Sequence, residues 1–370
     1  MLIVIAVILL LIILTAAALV AAFMHKYNTT SYESVKMVSR TDTFLPPDKP
    51  DILIDSDDNP ETPETTEADQ NEDTTVPETL PEDIYIPPTS NETAPAVEHD
   101  SNNSFMDSNA VSVYGGVPIY KVNQKDPNVE NILVVGTDAR DVTVHRGLSD
   151  VMIVVSYNKS EGSIKLISFL RDSFVPIEGY GWGKLNWAYI RFGIGSTINT
   201  INQCFDLDIQ KFVVIEFNGT KNFINYIGGV DVYLTAEEAS FYGIGSTAGN
   251  YHLDGEQALR HSRNRSLDSD FGRTRRQCDV LTAVINKMRS GIELTEVLGM
   301  LDHALQMVRT NIPFTNMVSL VTSVVISGSL STESYNVPFS DAFYYGCIGT
   351  DSVVAFDFDY TTHRIHEIIY

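Results

Sequence analysis

Five arginines and two aspartates, set in short and separated motifs, carry the chemistry that this sequence suggests. The aspartates are Asp138 in Val-Gly-Thr-Asp and Asp150 in Leu-Ser-Asp, and each flanks a short apolar run. The arginines are Arg171, Arg263, Arg265, Arg273 and Arg276. Guanidinium groups match phosphate oxygens in bidentate geometry, and carboxylates suit hard divalent cations. Together these residue types predict a site for a phosphorylated substrate with a metal ion.

The spacing of the later arginines is the most diagnostic local detail. Arg263 and Arg265 alternate and would share a face of an extended segment. Arg273, Arg276 and Gln277 share a face at the start of a predicted helix. A helix start already favours anions, so arginine there is poor for the helix dipole and good for a phosphate. The competing interpretation is simple ion pairing with the nearby acids Asp268, Asp270 and Asp279.

Three further signals are weaker when each is taken alone. Arg171-Asp172 follows an apolar run, and ion pairs are common at strand ends. Lys184 opens Lys-Leu-Asn-Trp-Ala-Tyr after a glycine-rich loop; it could contact phosphate, or Asn186 could simply cap the helix that follows. For Asp138 and Asp150, ordinary turn chemistry is the alternative to binding Mg²⁺.

The charge of the chain is concentrated in one segment. The chain has 25 Lys+Arg, 48 Asp+Glu and a formal net charge of −23. Residues 41–110 hold 19 acidic residues and one basic residue, Lys49. This balance argues against nucleic acid as a partner, because a nucleic-acid-binding face needs clustered positive charge. Three cysteines without close spacing argue against a disulfide framework or a zinc site.

The composition divides the chain into three zones. Residues 2–23 are uncharged and almost wholly apolar, long enough to span a bilayer, so residues 1–26 are predicted to be a transmembrane anchor. A cleaved signal peptide is the alternative, because alanines could offer a cleavage site. Residues 27–124 are acidic and rich in Pro and Thr, which predicts a disordered linker. Residues 125–370 are predicted to be one folded domain.

The domain is predicted to be α/β, with a central mixed sheet covered by helices on both faces. Short apolar runs at 131–136, 151–157, 164–169, 212–217 and 230–234 indicate strands. Helices are predicted at 187–205, 220–227, 271–309 with an interruption near Gly291, 315–326 and 361–370. Another is predicted after Asp254, with Asp254 as its N-cap and Gln257 three residues on. The apolar helix faces at 194–201, 223–227 and 281–285 either form plain core or line a lipid pocket.

Seven motifs occur in the order seen in one known family. They include Ile-Ser-Phe-Leu-Arg-Asp, His-Leu-Asp-Gly-Glu-Gln-Ala-Leu and Asp-Phe-Gly-Arg-Thr-Arg-Arg-Gln, and they extend over about residues 131–288. In this the chain resembles the LytR–CpsA–Psr family, whose domain is also called the cell-envelope-related transcriptional attenuator domain. The family looks like membrane-anchored, outward-facing phosphotransferases of Gram-positive bacteria. The resemblance implies transfer of a glycan from a polyprenyl pyrophosphate carrier to peptidoglycan, as in the attachment of teichoic acid or capsule.

The resemblance also implies roles for individual residues. Mg²⁺ would be held by Asp138 and Asp150. The substrate pyrophosphate would be bound by Arg171, Arg263, Arg265, Arg273, Arg276, Gln277 and Lys184. Catalysis would rest on Arg171, Asp172, Arg263 and Arg265. The family often has an arginine two residues before the second aspartate; this chain has Leu148 there, and Arg146 or Arg140 could substitute for it.

The resemblance places the protein in the cell membrane as a single-pass protein. Its N-terminus would be cytoplasmic and its C-terminal domain extracellular, although the positive charges after the apolar span would by themselves favour the reverse. The partners implied are the lipid-linked glycan, peptidoglycan and the membrane. Two other functions fit the same arginines: a non-catalytic binder of lipid-linked or wall glycan phosphates, and a hydrolase of polyprenyl pyrophosphate.

Overall fold

The structure is a computed structural model, and it describes residues 37–38, 53–54, 117–138, 147–289, 299–300, 303–304, 307–326 and 330–370. The predicted anchor and most of the predicted linker lie outside these residues, so both stay predictions. Three dipeptides of the linker range form strands: Met37–Val38 pairs with Ile119–Tyr120, and Leu53–Ile54 pairs with Gly346 and Cys347 of the domain. Ile119 is also buried in the main apolar cluster. Across the described ranges, no helix has the length and apolarity to cross a membrane.

Fifteen strands and seven helices make up the described chain. The strands are β1 (Met37–Val38), β2 (Leu53–Ile54), β3 (Ile119–Tyr120), β4 (Val129–Thr137), β5 (Ser149–Asn158), β6 (Ser163–Phe169), β7 (Phe174–Ile177), β8 (Gly181–Lys184), β9 (Lys211–Glu216), β10 (Val230–Leu234), β11 (Gly249–Leu253), β12 (Val308–Thr310), β13 (Ser331–Val337), β14 (Phe343–Ile348) and β15 (Asp351–Phe356). The helices are α1 (Leu185–Phe205), α2 (Phe217–Tyr226), α3 (Ala236–Tyr242), α4 (Gly255–Arg263), α5 (Asp270–Arg289), α6 (Phe314–Ile326) and α7 (Phe358–Ile369).

The central sheet has six strands in the order β12-β9-β4-β5-β6-β13. It is mixed: β4 runs antiparallel to β5 and parallel to β9, and β6 runs antiparallel to β5 and parallel to β13. The carboxyl ends of β4, β6 and β9 therefore meet the start of β5 at one edge. Open α/β sheets tend to bind ligands at such an edge.

Helices cover both faces of this sheet. Leu133 and Val154 face one side, where they pack in one apolar cluster with residues of α1 and α7. Ile153 and Leu166 face the other side and pack with residues of α5 and α6. This alternation follows from the two-residue period of a strand. The predicted α/β class with a central mixed sheet and helices is confirmed.

The structure confirms one predicted helix cap and corrects other predicted caps and element ends. Asp254 caps α4 through a reciprocal capping box with Gln257, as predicted. The long helix predicted to residue 309 is wrong at its end, because Val308 begins a strand that pairs with β9. The hairpin of β14 and β15 was not predicted. Asn186 does not cap α1; its backbone N–H instead donates to the carbonyl of Arg171.

Candidate phosphate-binding site

A β-bulge at the sheet edge sets the position of Asp150. Gly136 pairs with Val151 while Thr137 pairs with Ser149, so Asp150 is the extra residue. Gly136 is required there, because a Cβ on it would lie 2.9 Å from the Val151 Cβ. Bulges near active sites re-aim side chains. Here the bulge turns a carboxylate toward the segment that follows β6.

Arg171 follows β6 and links two of the carboxylates. Its Nη1 donates to Asp150 Oδ1 at 2.8 Å, and its Nε donates to Asp172 Oδ2 at 3.0 Å. Lys184 Nζ lies 3.4 Å from the other oxygen of Asp172. Burial lowers the pKa of Arg171, but the hydrogen bond to Asp150 and the negative charges of Asp172 and Asp270 outweigh it and raise that pKa. Arg171 therefore stays a fixed cation.

Arg273, on the first turns of α5, is only 3% exposed. Its Nη1 lies 2.8 Å from Asp270 Oδ1, and the second oxygen of Asp270 lies 4.0 Å from Arg171 Nε. The contact with Asp270 lacks hydrogen-bond geometry, so Nε and Nη1 of Arg273 are buried without hydrogen-bond partners in the described part of the chain. Burial lowers the pKa of Arg273, and the charges of Arg171 and Arg265 lower it further. Unsatisfied donors among mutually repelling cations fit an anionic ligand.

Arg265 completes the group from the opposite side. It follows α4, its side chain is 49% exposed, and its Nη2 lies 3.8 Å from Asp150 Oδ1. Arg263, the last residue of α4, holds its guanidinium 4.9 Å from the centre of the Phe217 ring. Arg171 thus meets Arg265 and Arg273, from about 100 residues further along the chain, around Asp150 and Asp270. The fold brings these three arginines together, and each of them remains a predicted phosphate contact.

Asp138 lies beside this group at the end of β4. Its Oδ1 accepts the backbone N–H of Leu148 at 2.9 Å, so it faces the residue two before Asp150. Asp138 and Asp150 lie at the paired ends of β4 and β5, and carboxylates match the donor chemistry of Mg²⁺, which takes few protein carboxylates and completes its shell with phosphate and water oxygens. Where the structure describes the chain, no cluster of three or more His, Cys, Asp or Glu side chains forms a self-sufficient metal site. The residues fit a cation shared with a phosphate.

An apolar cavity of about 200 Å³ opens beside the arginines. It lies between one face of the sheet and helices α2, α4 and α5, and its lining includes Phe217, Phe223, Leu281, Val284 and Gln277. Gln277 donates weakly to the Ser262 carbonyl at 3.4 Å. The helix faces predicted at 223–227 and 281–285 do contribute to a cavity, whereas the face at 194–201 is plain core. Phe217 lines the cavity, and the guanidinium of Arg263 packs on its ring. Arg263 therefore lies next to the cavity.

The structure separates Arg276 from the arginine group, which corrects its predicted role. Its side chain is 0% exposed. It forms a two-bond pair with Asp268, at 3.0 and 2.6 Å, and donates to the Asn264 carbonyl at 2.9 Å. Glu238 lies 3.4 Å away. Its Nε is buried without a hydrogen-bond partner, but Nη1 and Nη2 are both occupied and the side chain is not exposed, so Arg276 acts as a structural residue.

Two other positions complete the comparison with the sequence predictions. Arg146 lies outside the described residues, so its predicted contact stays untested. Asp270, which the sequence suggested only as a neutralising partner, is central to the site because it lies between Arg171 and Arg273. Its position three residues before Arg273 on a helix was the available signal. Nothing in the sequence pointed to Phe217.

His261, behind the site on α4, gives a pH-dependent prediction. Burial, helped by Arg276 and Arg275, lowers the pKa of His261 to about 4, against the opposing charge of Glu238. An unfolded histidine binds its proton below about pH 6.5. The unfolded state therefore holds more protons between about pH 6.5 and about pH 4, and the free energy of unfolding falls as the pH is lowered through that window.

We expect His261 to contribute up to about 1.4 kcal/mol of this loss per pH unit. Urea unfolding at several pH values measures it. The variant His261→Phe, which keeps a ring against Tyr242, should lose less stability on acidification than the unmodified protein. The control variant His363→Phe, at an exposed site, should lose as much stability on acidification as the unmodified protein. An equal acid response in His261→Phe would contradict the assignment.

The fold and site define an α/β protein with an arginine group beside an apolar cavity. The sequence profile of the LytR–CpsA–Psr family matches residues 89–357. This is more than half of the chain, and the protein belongs to the LytR–CpsA–Psr family. The resemblance read from the motifs is confirmed, and the matched range extends into the predicted linker.

Two curated relatives share this similarity. The polyisoprenyl-teichoic acid–peptidoglycan teichoic acid transferase TagT of Bacillus subtilis is 26% identical over 259 residues, which cover 66% of this chain and 80% of TagT. The relative named TagU, a transferase of the same description from Oceanobacillus iheyensis, is 33% identical over 213 residues, which cover 55% of this chain and 66% of TagU.

Solved structures show the same fold. The structure of TagT bound to LIIa-WTA superposes with a TM-score of 0.56 at 23% identity, covering 67% of this chain and 93% of that one. TagT with bound octaprenyl pyrophosphate lipid gives a TM-score of 0.51 at 21% identity, covering 67% and 94%. At these identities the likeness supports the fold alone.

Proposed function

We propose that this protein is a phosphotransferase that moves a glycopolymer from a polyprenyl pyrophosphate carrier onto peptidoglycan. One observation carries the proposal: Arg273 has buried donors without hydrogen-bond partners, and Gln277, one helical turn further along α5, lines an apolar cavity. A prenyl pyrophosphate has the matching parts, an anionic head and an apolar tail. The names of the curated relatives, which are teichoic acid transferases, support the same reaction and suggest teichoic acid as the polymer.

The reaction is an in-line displacement at phosphorus. A sugar hydroxyl of peptidoglycan attacks the phosphorus next to the carried glycan and forms a new phosphodiester. The bond from that phosphorus to the bridging oxygen breaks, and lipid monophosphate leaves. Such transfers depend on positioning and on neutralising oxygens. Arg171, Arg265 and Arg273 would hold the pyrophosphate oxygens, with Lys184, Arg263 and Gln277 at the rim, and Asp172 would fix both Arg171 and Lys184.

The metal ion is part of this proposal. Asp138 and Asp150 would hold Mg²⁺, whose charge would neutralise phosphate oxygens. Asp150 also pairs with Arg171 at 2.8 Å and lies 3.8 Å from Arg265, so this carboxylate orders both cations. We expect Asp150→Asn to weaken the dependence of turnover on Mg²⁺ as well as to lower turnover.

We place the domain on the outer side of the cell membrane. Residues 1–26 would form a single-pass anchor with a cytoplasmic N-terminus, and residues 27–124 the linker that leads to the domain. The substrates support this location, because both a polyprenyl carrier at the membrane surface and peptidoglycan would be within reach of an anchored domain. The acidic linker and the mixed charge of the domain give nucleic acid no binding face.

A transfer assay tests the proposed function. The full chain is given a polyprenyl pyrophosphate-linked glycan, Mg²⁺ and peptidoglycan fragments. Release of lipid phosphate that requires the glycan acceptor supports the transferase. Release without an acceptor would replace it with the hydrolase, and tight retention of the lipid without turnover would replace it with the binder.

A cavity-filling substitution tests the lipid part separately. Val284 on α5 lines the cavity, so Val284→Phe should occupy space that a prenyl chain needs while leaving the free energy of unfolding unchanged or higher. We expect the affinity for prenyl pyrophosphate to fall at least about tenfold, which corresponds to about 1.4 kcal/mol.

The matched control is Asn286→Phe, which adds the same ring at an exposed position of the same helix. It should bind the lipid normally. Normal binding of prenyl pyrophosphate by a stably folded Val284→Phe variant would show that the cavity does not hold the prenyl chain.

A further inference from the structure

The segment between α4 and α5 is fastened from inside the protein by one residue. Asn264 is 8% exposed, and hydrogen bonds engage its carbonyl and both side-chain polar atoms. Its carbonyl accepts Arg276 Nη2 at 2.9 Å. Its Nδ2 donates to the Tyr242 hydroxyl at 3.1 Å, and its Oδ1 accepts the Ser266 backbone N–H at 2.7 Å. A short loop held at this many points has little freedom to move.

These contacts bracket Arg265. The peptide before it is held through the Asn264 carbonyl, and the peptide after it through the Ser266 N–H. Asn264 has an extended backbone, with φ −66° and ψ 132°, and its side chain points inward. Successive residues of an extended segment point to opposite sides. Arg265 is therefore directed outward, toward Asp150 at 3.8 Å.

Tyr242, the last residue of α3, is the far anchor of this arrangement. Its hydroxyl receives Asn264 Nδ2 and lies 3.3 Å from His261 Nδ1. Its ring packs edge-on against His261, with centroids 5.6 Å apart. Burial raises the pKa of Tyr242, so the hydroxyl stays protonated at neutral pH. Tyr242 contacts none of the arginines of the phosphate group directly in the described structure; it reaches Arg265 only through Asn264.

We propose that Tyr242 is a positioning residue that fixes Arg265 through Asn264. This inference rests on the proposed function, in which Arg265 holds pyrophosphate oxygens. A guanidinium held in place before the ligand arrives loses less freedom on binding, and a misplacement of about 1 Å can lower a rate about 10²-fold. The hydroxyl of a residue that never touches substrate would thus set part of the grip on the phosphate.

A double-mutant cycle tests the proposal. Tyr242→Phe removes only the hydroxyl and keeps the ring. We expect it to weaken the binding of inorganic pyrophosphate, and to lower glycan transfer, by about fivefold to tenfold, the factor for losing the hydrogen bond to Asn264; the contact with His261 is lost equally in both backgrounds of the cycle. In an Arg265→Ala background the same change should have less than about a twofold effect, because the residue through which it acts is gone. Equal factors in both backgrounds would reduce Tyr242 to a purely structural role and overturn the proposal.

Two further variants make the test decisive. Tyr251→Phe removes a hydroxyl that donates to the Thr247 carbonyl in the same region, and it should leave binding and transfer unchanged. If Tyr242→Phe folds poorly, Asn264→Ser enters the cycle instead, since serine keeps an oxygen for the Ser266 N–H and is too short to reach Tyr242. Failure of the unmodified protein to transfer glycan would refute the proposed function, while the pyrophosphate-binding cycle would still decide the role of Tyr242.

Discussion

Replacing Arg171 with alanine is expected to lower turnover by about 10²–10³-fold, the range for removing one preorganised donor that stabilises the transition state of an enzyme. The reason is its double contact: Nη1 holds Asp150 and Nε holds Asp172. The substitution removes one cation from the predicted pyrophosphate contacts. It also takes from Asp150 and Asp172 the cation closest to each. Steady-state transfer with the lipid-linked glycan measures the effect.

Arg171→Lys sharpens this prediction. A lysine presents a single ammonium and does not reproduce the forked geometry that joins two carboxylates. We therefore expect at least about a tenfold loss even though the charge is kept. Lys159→Ala is the matched control. Lys159 pairs with Glu130 at the opposite end of β5, so its loss should leave turnover unaltered. Full turnover by Arg171→Ala would mean that the site has been assigned to the wrong residues.

Arg276→Ala should be the most destabilising of the arginine substitutions. Its guanidinium is fully buried and is paired with Asp268, near Glu238. Asp268 is 41% exposed and water can solvate it, but the removal takes charged hydrogen bonds from the buried side of the pair and from the Asn264 carbonyl, at about 1.5–3 kcal/mol. Chemical denaturation should show a clearly lower midpoint denaturant concentration for Arg276→Ala. The substitution also removes the hydrogen bond that holds the loop at the Asn264 carbonyl.

The neighbouring Arg275 provides the control on the same helix. Its side chain is 41% exposed and pairs with Asp279 and Glu238. The pair with Asp279 is partly exposed and contributes little, and the buried Glu238 keeps the Thr235 N–H and Arg276 at 3.4 Å, so Arg275→Ala should lower the free energy of unfolding by only about 1 kcal/mol or less. If both variants lost the same small amount of stability, Arg276 would not be the structural residue described here.

The strands of the central sheet could be predicted from the sequence because they leave strong local signals. Val151 to Tyr157 and Ile164 to Phe169 are apolar runs bounded by turn residues, and both lie within observed strands. The capping box at Asp254 is likewise a local pattern. What the sequence missed depends on tertiary pairing. The hairpin of β14 and β15 is one case, because Phe343 to Ile348 carries no clear alternation.

The roles within Asp-Phe-Gly-Arg-Thr-Arg-Arg-Gln show the limit more sharply. Arg273 and Arg276 are three residues apart on one helix, and spacing alone gave them the same role. The fold separates them, because Asp268 and Glu238 come from other segments and enclose Arg276, whereas Arg273 faces Arg171 and Arg265. Which of the two arginines is left for a ligand depends on Glu238, which is distant in the sequence, as well as on the nearby Asp268.

A crystal soaked with a prenyl pyrophosphate tests the central claim most directly. We expect the diphosphate between Arg171, Arg265 and Arg273, within hydrogen-bond distance of the Arg273 nitrogens that are buried without partners, with the prenyl chain in the cavity that Phe217 lines. A diphosphate bound elsewhere on the domain, with these three arginines still paired to Asp150 and Asp270, would contradict it.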